Sequence, residues 1–289
     1  MTDDIILRGL VLDKQARIAI IDTSDILCYA TKVHNLVPVA QNAMGRALTI
    51  GAYISHNMKN ELGRFNVIID GGGPLGKIYV AGENLGKIKG YIENSDKPEL
   101  KKYSSEKLKD AVGQKGSFTV IKDMGLKEPY VGRTEIASGN ISDDFAFYLF
   151  SSEGIRCAVG LDVFTYQNRL CSYGIICEAM PGVSDEAIFI LEDIMSRFRE
   201  ICLKIANLGV EEAFNYYFKH FGAESLSIDK LEYFCNCESR GDEIIKSIGE
   251  NEISDILRDK PEVEILCDYC GKHIVYNKDM LEILFNRSF

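Results

Sequence analysis

The stretch "YFCNCESR" (233–240) contains two cysteines one residue apart, and "CDYCGKH" (267–273) contains two more, separated by two residues. Four thiolates at such paired spacings suit a tetrahedral Zn²⁺ site in which two tight turns face one another. Gly271 follows the second pair directly, and a chain that turns beneath a metal often needs a positive φ there. The predicted zinc ligands are Cys235, Cys237, Cys267 and Cys270.

The residues around these pairs predict a small ββα module, 232–289. "VEIL" and "HIVY" read as short strands on either side of the second turn, and Asn277 is a candidate N-cap for a final helix, "KDMLEILF". Ser239 and Asp242 are candidates to open a helix between the pairs. His273 could replace a thiolate, but four cysteines make it unnecessary. A module of this length is only marginally stable without a metal or cross-link.

A redox dithiol of the thioredoxin type is the alternative interpretation of "CDYC". That motif needs its first cysteine at a helix N-terminus, where the helix dipole lowers the thiol pKa. The residues that follow here, "GKHIVY", are strand-like. A catalytic dithiol is therefore the minor interpretation.

Composition and charge narrow the class of protein. The chain has 289 residues, 46% of them hydrophobic and 26% charged, which is typical of soluble globular proteins. A net charge of -10 argues against nucleic acid as the main partner. The N-terminus is acidic where a signal peptide is basic, and no apolar run is long enough to span a membrane. We expect a cytoplasmic protein, in which nine cysteines cannot be assumed to form stable disulfides.

The five remaining cysteines do not suggest a second site. Cys171 and Cys177 lie on one predicted strand, "CSYGIIC", on the same face but roughly 20 Å apart, so they cannot bond to each other. Cys28, Cys157 and Cys202 have apolar neighbours and are expected to be small buried hydrophobes.

The first 182 residues predict an α/β (α+β) core domain with a mixed sheet. "ARIAIID" (16–22) reads as a strand, Thr23 or Ser24 as the cap of a helix that ends near His34, and 40–60 as a second helix. Strands follow over 64–91, and "SDDFAFYLFSSEG" (142–154) reads as a helix opened by Ser142.

Residues 183–231 predict an all-helical linker domain. Ser184 is the candidate cap of a helix that ends at 207–209, and a second helix follows over 210–221. Apolar residues recur at steps of three and four along the first helix, which is the spacing of a single face. Two such helices bury little by themselves, so we expect them to lie on the core domain.

"GGGPLG" (71–76) matches the dinucleotide-binding pattern G-x-G-x-x-G in letters only. The pattern requires a helix directly afterwards, whose N-terminus receives the pyrophosphate. Here the strand-like "KIYVAGE" follows, so we expect a strand, a turn and a strand, and no nucleotide site. No Ser/His/Asp arrangement with supporting context indicates an enzyme.

Five stretches resemble, in the expected order, the bacterial family of redox-regulated thirty-three-kilodalton heat-shock chaperones. They are "GGGPLGKIYV", "SGNISDDFAFYLFSSEG", "GIICEAMPG", "CNCESR" and "CDYCGKHIVY". The resemblance covers most of the chain, while the first 60 residues match in general character only. The five additional cysteines go beyond the four that function in the family.

The resemblance implies a chaperone rather than an enzyme, with one zinc on Cys235, Cys237, Cys267 and Cys270 while it is reduced and inactive. Hypochlorous acid, or peroxide with heat, would join Cys235 to Cys237 and Cys267 to Cys270 and release the zinc. The C-terminal module and the linker would then unfold, exposing surface that binds unfolding client proteins without ATP. The family also forms a homodimer on activation and passes clients to ATP-dependent foldases.

Two other functions stay open at this point. One is a constitutive zinc-ribbon module that binds nucleic acid or protein, which the acidic charge disfavours. The other is the thiol oxidoreductase considered above.

Overall fold

The computed structural model describes residues 4–58, 60, 62–104 and 107–286. The chain divides into two compact units, Met1–Tyr233 and Phe234–Phe289. The helices expected to form a separate linker belong to the first unit. That 183–231 acts as a domain of its own stays a prediction.

The first unit combines two sheets with seven described α-helices. Its strands are β1 (Ile5–Val11), β2 (Ala16–Asp22), β3 (Arg64–Asp70), β4 (Ile78–Glu83), β5 (Lys87–Ile92), β6 (Ser117–Asp123), β7 (Tyr130–Glu135), β8 (Cys157–Tyr166), β9 (Arg169–Ala179), β10 (Glu224–Lys230) and β11 (Glu232–Tyr233). Its α-helices are α1 (Ser24–His34), α2 (Pro38–His56), α3 (Leu108–Val112), α4 (Ile141–Glu153), α5 (Asp185–Ser196), α6 (Phe198–Leu208) and α7 (Val210–Phe218). Short 3-10 helices span Pro98–Lys102 and Lys219–Phe221.

The strands form a five-stranded sheet, in the order β10-β1-β2-β9-β8, and a six-stranded sheet, in the order β11-β5-β4-β3-β6-β7. Every pair is antiparallel except β11 with β5, so the predicted mixed sheet is the six-stranded one. Helix α2 packs against strands of both sheets. It is buried along most of its length, because small and apolar residues occupy all of its faces.

Helices α5, α6 and α7 cover the outer face of the five-stranded sheet, as expected from their apolar faces. Ser184 caps α5 as predicted, its side chain accepting a hydrogen bond from the backbone N–H of Ala187. The predicted long helix is interrupted at Arg197, which separates α5 from α6. The ring of Phe198 lies against Gly160 on β8, where a Cβ would come within 2.6 Å of the ring.

The prediction that 183–231 is entirely helical is wrong for its last part. The helices end at Phe221, and Glu224–Lys230 forms strand β10 on the edge of the sheet beside β1. Leu226 and Ile228 alternate with polar residues, which is the period of a strand, and the unpaired edge of β1 supplies the backbone partners.

Two predicted caps also differ from the structure. Asn140 rather than Ser142 caps α4, and its side chain accepts from the Ser142 backbone N–H. Thr23 makes no side-chain cap at α1. The carboxylate of Asp4 instead accepts from the backbone N–H groups of Asp25 and Ile26. The stretch "GGGPLG" connects strands β3 and β4, as predicted.

The second unit contains α8 (Cys237–Ile248), α9 (Glu250–Asp259), β12 (Glu262–Leu266), β13 (His273–Asn277) and α10 (Lys278–Phe285). β12 and β13 pair antiparallel, and Asn277 caps α10 by accepting from the Met280 backbone N–H, which confirms the predicted ββα arrangement. Helix α8 begins at Cys237, two residues earlier than expected. The fully buried apolar cluster is small, consisting of Ile245, Ile253, Val263, Tyr276 and Leu281.

Within the ranges that the structure describes, no helix is long and apolar enough to cross a membrane.

Candidate metal centre

The second unit brings its four cysteines together at one point. The four Sγ atoms lie within 4.8 Å of one another. Cys235 Sγ is 3.7 Å from Cys267 Sγ, and Cys237 Sγ is 3.4 Å from Cys270 Sγ. Each of these contacts joins one cysteine of the first pair to one of the second, across more than 30 residues of chain.

Local backbone geometry positions the thiols. Cys237 is the first residue of α8, and Cys235 lies just before the helix. Cys267 and Cys270 lie in the turn between β12 and β13. The turn closes because the Gly271 N–H donates to the Cys267 carbonyl at 2.8 Å and the Cys267 N–H to the Lys272 carbonyl at 3.0 Å. Gly271 has a φ of 67°, which confirms the expectation of a left-handed residue beneath the site.

The four thiols fit a tetrahedral metal ion. With metal–sulfur bonds of about 2.3 Å, as for Zn²⁺, the edges of a sulfur tetrahedron are about 3.8 Å. The measured separations of 3.4 and 3.7 Å lie close to this edge length. Cys237 and Cys270 are buried and the other two are half-buried, so water has limited access to the site. Soft, closely spaced thiolates select soft or borderline ions rather than Mg²⁺ or Ca²⁺.

The cluster is electrostatically unbalanced without a cation. Burial, together with a hydrogen bond to Cys270, raises the pKa of Cys237, and burial also raises the pKa of Cys270. Burial acts in the same direction on Cys267, but the backbone N–H groups of Cys270 and Tyr269 outweigh it and lower the pKa of that thiol. Four adjacent thiolates repel one another, so metal binding would be coupled to proton release.

A second layer of contacts supports the turn and the helix. The Tyr276 hydroxyl on β13 donates to Asp242 on α8 at 2.8 Å, and burial with this bond raises the pKa of Tyr276 to about 12. Gly241 allows the approach, because a Cβ at that position would collide with the Tyr276 hydroxyl. These three residues were missed at the level of sequence; a glycine inside an amphipathic helix was the available signal.

His273 lies outside the cluster. Its Nδ1 contacts the carboxylate of Glu264 on the neighbouring strand, and both side chains are exposed. "CDYC" leads into strand β13 rather than into a helix. The helix dipole that acidifies a thioredoxin-type cysteine is therefore not available to Cys267.

The other five cysteines lie in the first unit. Cys171, Cys177 and Cys202 are buried, as expected, while Cys28 and Cys157 are half-buried. Burial raises the pKa of Cys157 and of Cys177 to about 12, the nearby Glu178 contributing to the first and Cys157 and Glu178 to the second. These thiols are protonated at neutral pH.

Comparison with known proteins places the whole chain. A model of the family "Hsp33 protein" matches residues 4–277. The "33 kDa chaperonin" of Caldanaerobacter subterraneus subsp. tengcongensis is 35% identical over 274 residues, with 92% of both chains covered. The protein of the same name from Bacillus pumilus is 32% identical, covering 97% of this chain and 98% of its own.

A solved structure shows the same fold. The crystal structure of the 33 kDa chaperonin (heat shock protein 33 homolog) from Thermotoga maritima superposes with a TM-score of 0.77 at 21% identity, covering 99% of this chain and 98% of that one. The family match, the two relatives and the shared fold lead to one conclusion: this chain belongs to the Hsp33 family, a family of chaperones.

Proposed function

We propose that this chaperone is an ATP-independent holdase, inactive while a Zn²⁺ ion occupies the four cysteines and activated when oxidants convert those cysteines to disulfides. The observation that carries the proposal is the convergence of four thiols within 4.8 Å in a unit that has a very small apolar core. Relatives named chaperonins over nearly the full length support the client-binding part.

Zinc is the metal that this donor set favours. A closed site of four thiolates is typical of structural zinc, and such a site supplies roughly 10 to 16 kcal/mol of folding free energy in small modules. Whole domains are stable by only about 5 to 15 kcal/mol. The five buried residues around Tyr276 are few for a unit of this length, so its order would depend on the bound ion.

The redox step involves the two pairs that are close in sequence, Cys235 with Cys237 and Cys267 with Cys270. Each pair of thiolates forms one S–S bond and gives two electrons to hypochlorous acid, which takes up a proton and leaves as chloride and water. With hydrogen peroxide as oxidant, the O–O bond breaks and two water molecules leave. A disulfide sulfur is a poor metal ligand, so this step removes the charge and the donors that hold the ion.

The surface for clients would come from the first unit. The apolar sides of α5, α6 and α7 and the outer face of the five-stranded sheet bury one another. Loosening of the helices would expose both, and an apolar patch of that size cannot stay uncovered on a resting protein without binding something. Exposed Phe189 and Tyr216 on the outer side of these helices would add to the same surface.

The remaining roles follow from the family resemblance and are part of the proposal. The active form would be a homodimer in the cytoplasm that holds unfolding proteins and passes them to ATP-dependent foldases. We propose neither nucleic acid nor membrane as a partner.

The test measures metal release and aggregation suppression in the same samples. Hypochlorous acid is added stepwise, released Zn²⁺ is read with a chromogenic chelator, and light scattering follows a thermally unfolding client enzyme. The proposal expects one Zn²⁺ per chain to be released and scattering to fall in parallel. Cys28→Ser is the matched control and should behave as the unmodified chain does.

Two results would contradict the proposal. Loss of the metal without any change in scattering would remove the holdase function. Insulin reduction that depends on Cys267 and Cys270 would instead favour a thiol oxidoreductase.

A further inference from the structure

Sulfur atoms are concentrated in the layer between the five-stranded sheet and the helices that cover it. Cys171 and Cys177 on β9 and Cys202 on α6 are at most 1% exposed and belong to one apolar cluster, against which Met195 on α5 packs. The Sγ of Cys177 lies 3.8 Å from the Sδ of Met195. The sheet and both helices therefore contribute sulfur to the same interface.

These sulfurs are unreactive while the helices stay in place. Burial raises the pKa of Cys177 to about 12, and burial with the nearby Asp162 raises the pKa of Cys202. The thiolate, not the thiol, is the form that oxidants attack. Access is blocked as well, because the helices themselves bury the sulfurs.

Separation of the helices from the sheet would reverse both conditions. Once oxidised, a cysteine sulfinic acid or a methionine sulfoxide carries polar oxygens that need hydrogen-bond partners. The surrounding cluster is made of side chains such as Ile20, Ile175 and Leu191, which offer none. Returning an unpaired polar group to such a layer costs about 1 to 3 kcal/mol per group.

We propose that Cys177, Cys202 and Met195 form a second oxidation site, which two-electron oxidants modify only after α5 and α6 leave the sheet, and which then prevents the helices from returning. The inference rests on the proposed function, because it uses the release of these helices. Each cysteine reacts with two molecules of hydrogen peroxide, forming two S–O bonds and releasing two water molecules. Met195 reacts with one, forming a single S–O bond and one water molecule. Dithiothreitol does not reverse the sulfinic acid, and a sulfoxide needs its own reductase.

The experiment compares short and prolonged treatment of the full chain with warm hydrogen peroxide. Each sample is then given dithiothreitol and Zn²⁺, residual aggregation suppression is measured, and peptide mass spectrometry reports oxidation at the three residues. After prolonged treatment, the unmodified chain should retain at least threefold more activity than a triple variant with Cys177→Ala, Met195→Leu and Cys202→Ala. A Cys28→Ala and Cys157→Ala double variant should behave as the unmodified chain does. Equal reversal in the unmodified chain and the triple variant would overturn the inference.

A second arm is independent of chaperone activity. Gly160→Val should displace Phe198 and expose the layer while the metal stays bound, so the three sulfurs should be oxidised several-fold faster in this variant than in the reduced unmodified chain. Equal oxidation rates would overturn the inference even if oxidant-induced holdase activity is observed. If no holdase activity appears but Gly160→Val still speeds oxidation, the proposed function fails and the gated site stands.

Discussion

The ring of Phe198 on α6 lies directly on Gly160 of β8, with 2.6 Å between the ring and the position of a Cβ on the glycine. Arg199, the next residue, places its guanidinium 3.9 Å from the centre of the Phe164 ring and contacts Asp162. Two adjacent residues thus attach the start of α6 to a single strand. This attachment lies in the first unit, apart from the four-cysteine cluster.

Gly160→Val should therefore activate the chaperone without an oxidant. The added methyl groups force Phe198 from its place, and overpacking of this kind costs about 1 to 3 kcal/mol. We expect aggregation suppression by the reduced, metal-loaded variant and faster amide exchange in α6. Thr165→Val, at an exposed position of the same strand, is the matched control. If α6 exchanges faster and the variant still fails to suppress aggregation, the helices do not cover the client surface.

Tyr276→Phe should weaken metal binding without removing a ligand. The change deletes the hydrogen bond to Asp242, which joins β13 to α8, and such bonds contribute about 1 kcal/mol. A loss of that size corresponds to about fivefold weaker binding. Competition with a chromogenic chelator measures it, and Tyr216→Phe on the exposed side of α7 is the control. Gly241→Ala should have a larger effect, because its Cβ collides with the same hydroxyl. Unchanged affinity in both variants would show that the second layer does not support the site.

The stability of the first unit should fall as the pH rises from about 4 to about 7. Burial and the charge of Asp22 raise the pKa of Asp4 to about 7, and burial raises that of Asp22 to about 6. Both values lie above the model value of 3.8, so the folded state binds more protons than the unfolded state within this window. The stabilisation is fully present below the lower limit and is lost as the pH passes the folded pKa values.

Asp4→Asn tests this pH dependence. The asparagine keeps an oxygen acceptor for the backbone N–H groups of Asp25 and Ile26 but has no proton to lose. Denaturant unfolding at pH 5 and pH 8 should show a fall in free energy smaller by on the order of 2 to 4 kcal/mol in the variant. Asp193→Asn, at an exposed position of α5, is the control. The same fall in the variant and the unmodified chain would exclude Asp4 as its source.

The parts of the structure that the sequence predicted depend on local signals. The paired cysteines, the turn at Gly271 and the cap at Asn277 are each determined within a few residues, and all three are confirmed. The parts that sequence reasoning missed depend on partners far along the chain. Strand β10 forms because β1 offers an unpaired edge more than 200 residues away, and Asp4 caps a helix about 20 residues after it. The contact of Gly160 with Phe198 has the same character, although a glycine inside a strand was a usable signal.

Amide hydrogen exchange before and after oxidation tests the central claim most directly, since it reports order element by element. Zinc content and disulfide formation are measured on the same samples. With both disulfides formed and the metal released, we predict that β12, β13 and α8 lose their protection, that α5 to α7 exchange at least tenfold faster, and that β2 and β9 stay protected. Full protection of β12, β13 and α8 in a metal-free, disulfide-bonded chain would contradict the account.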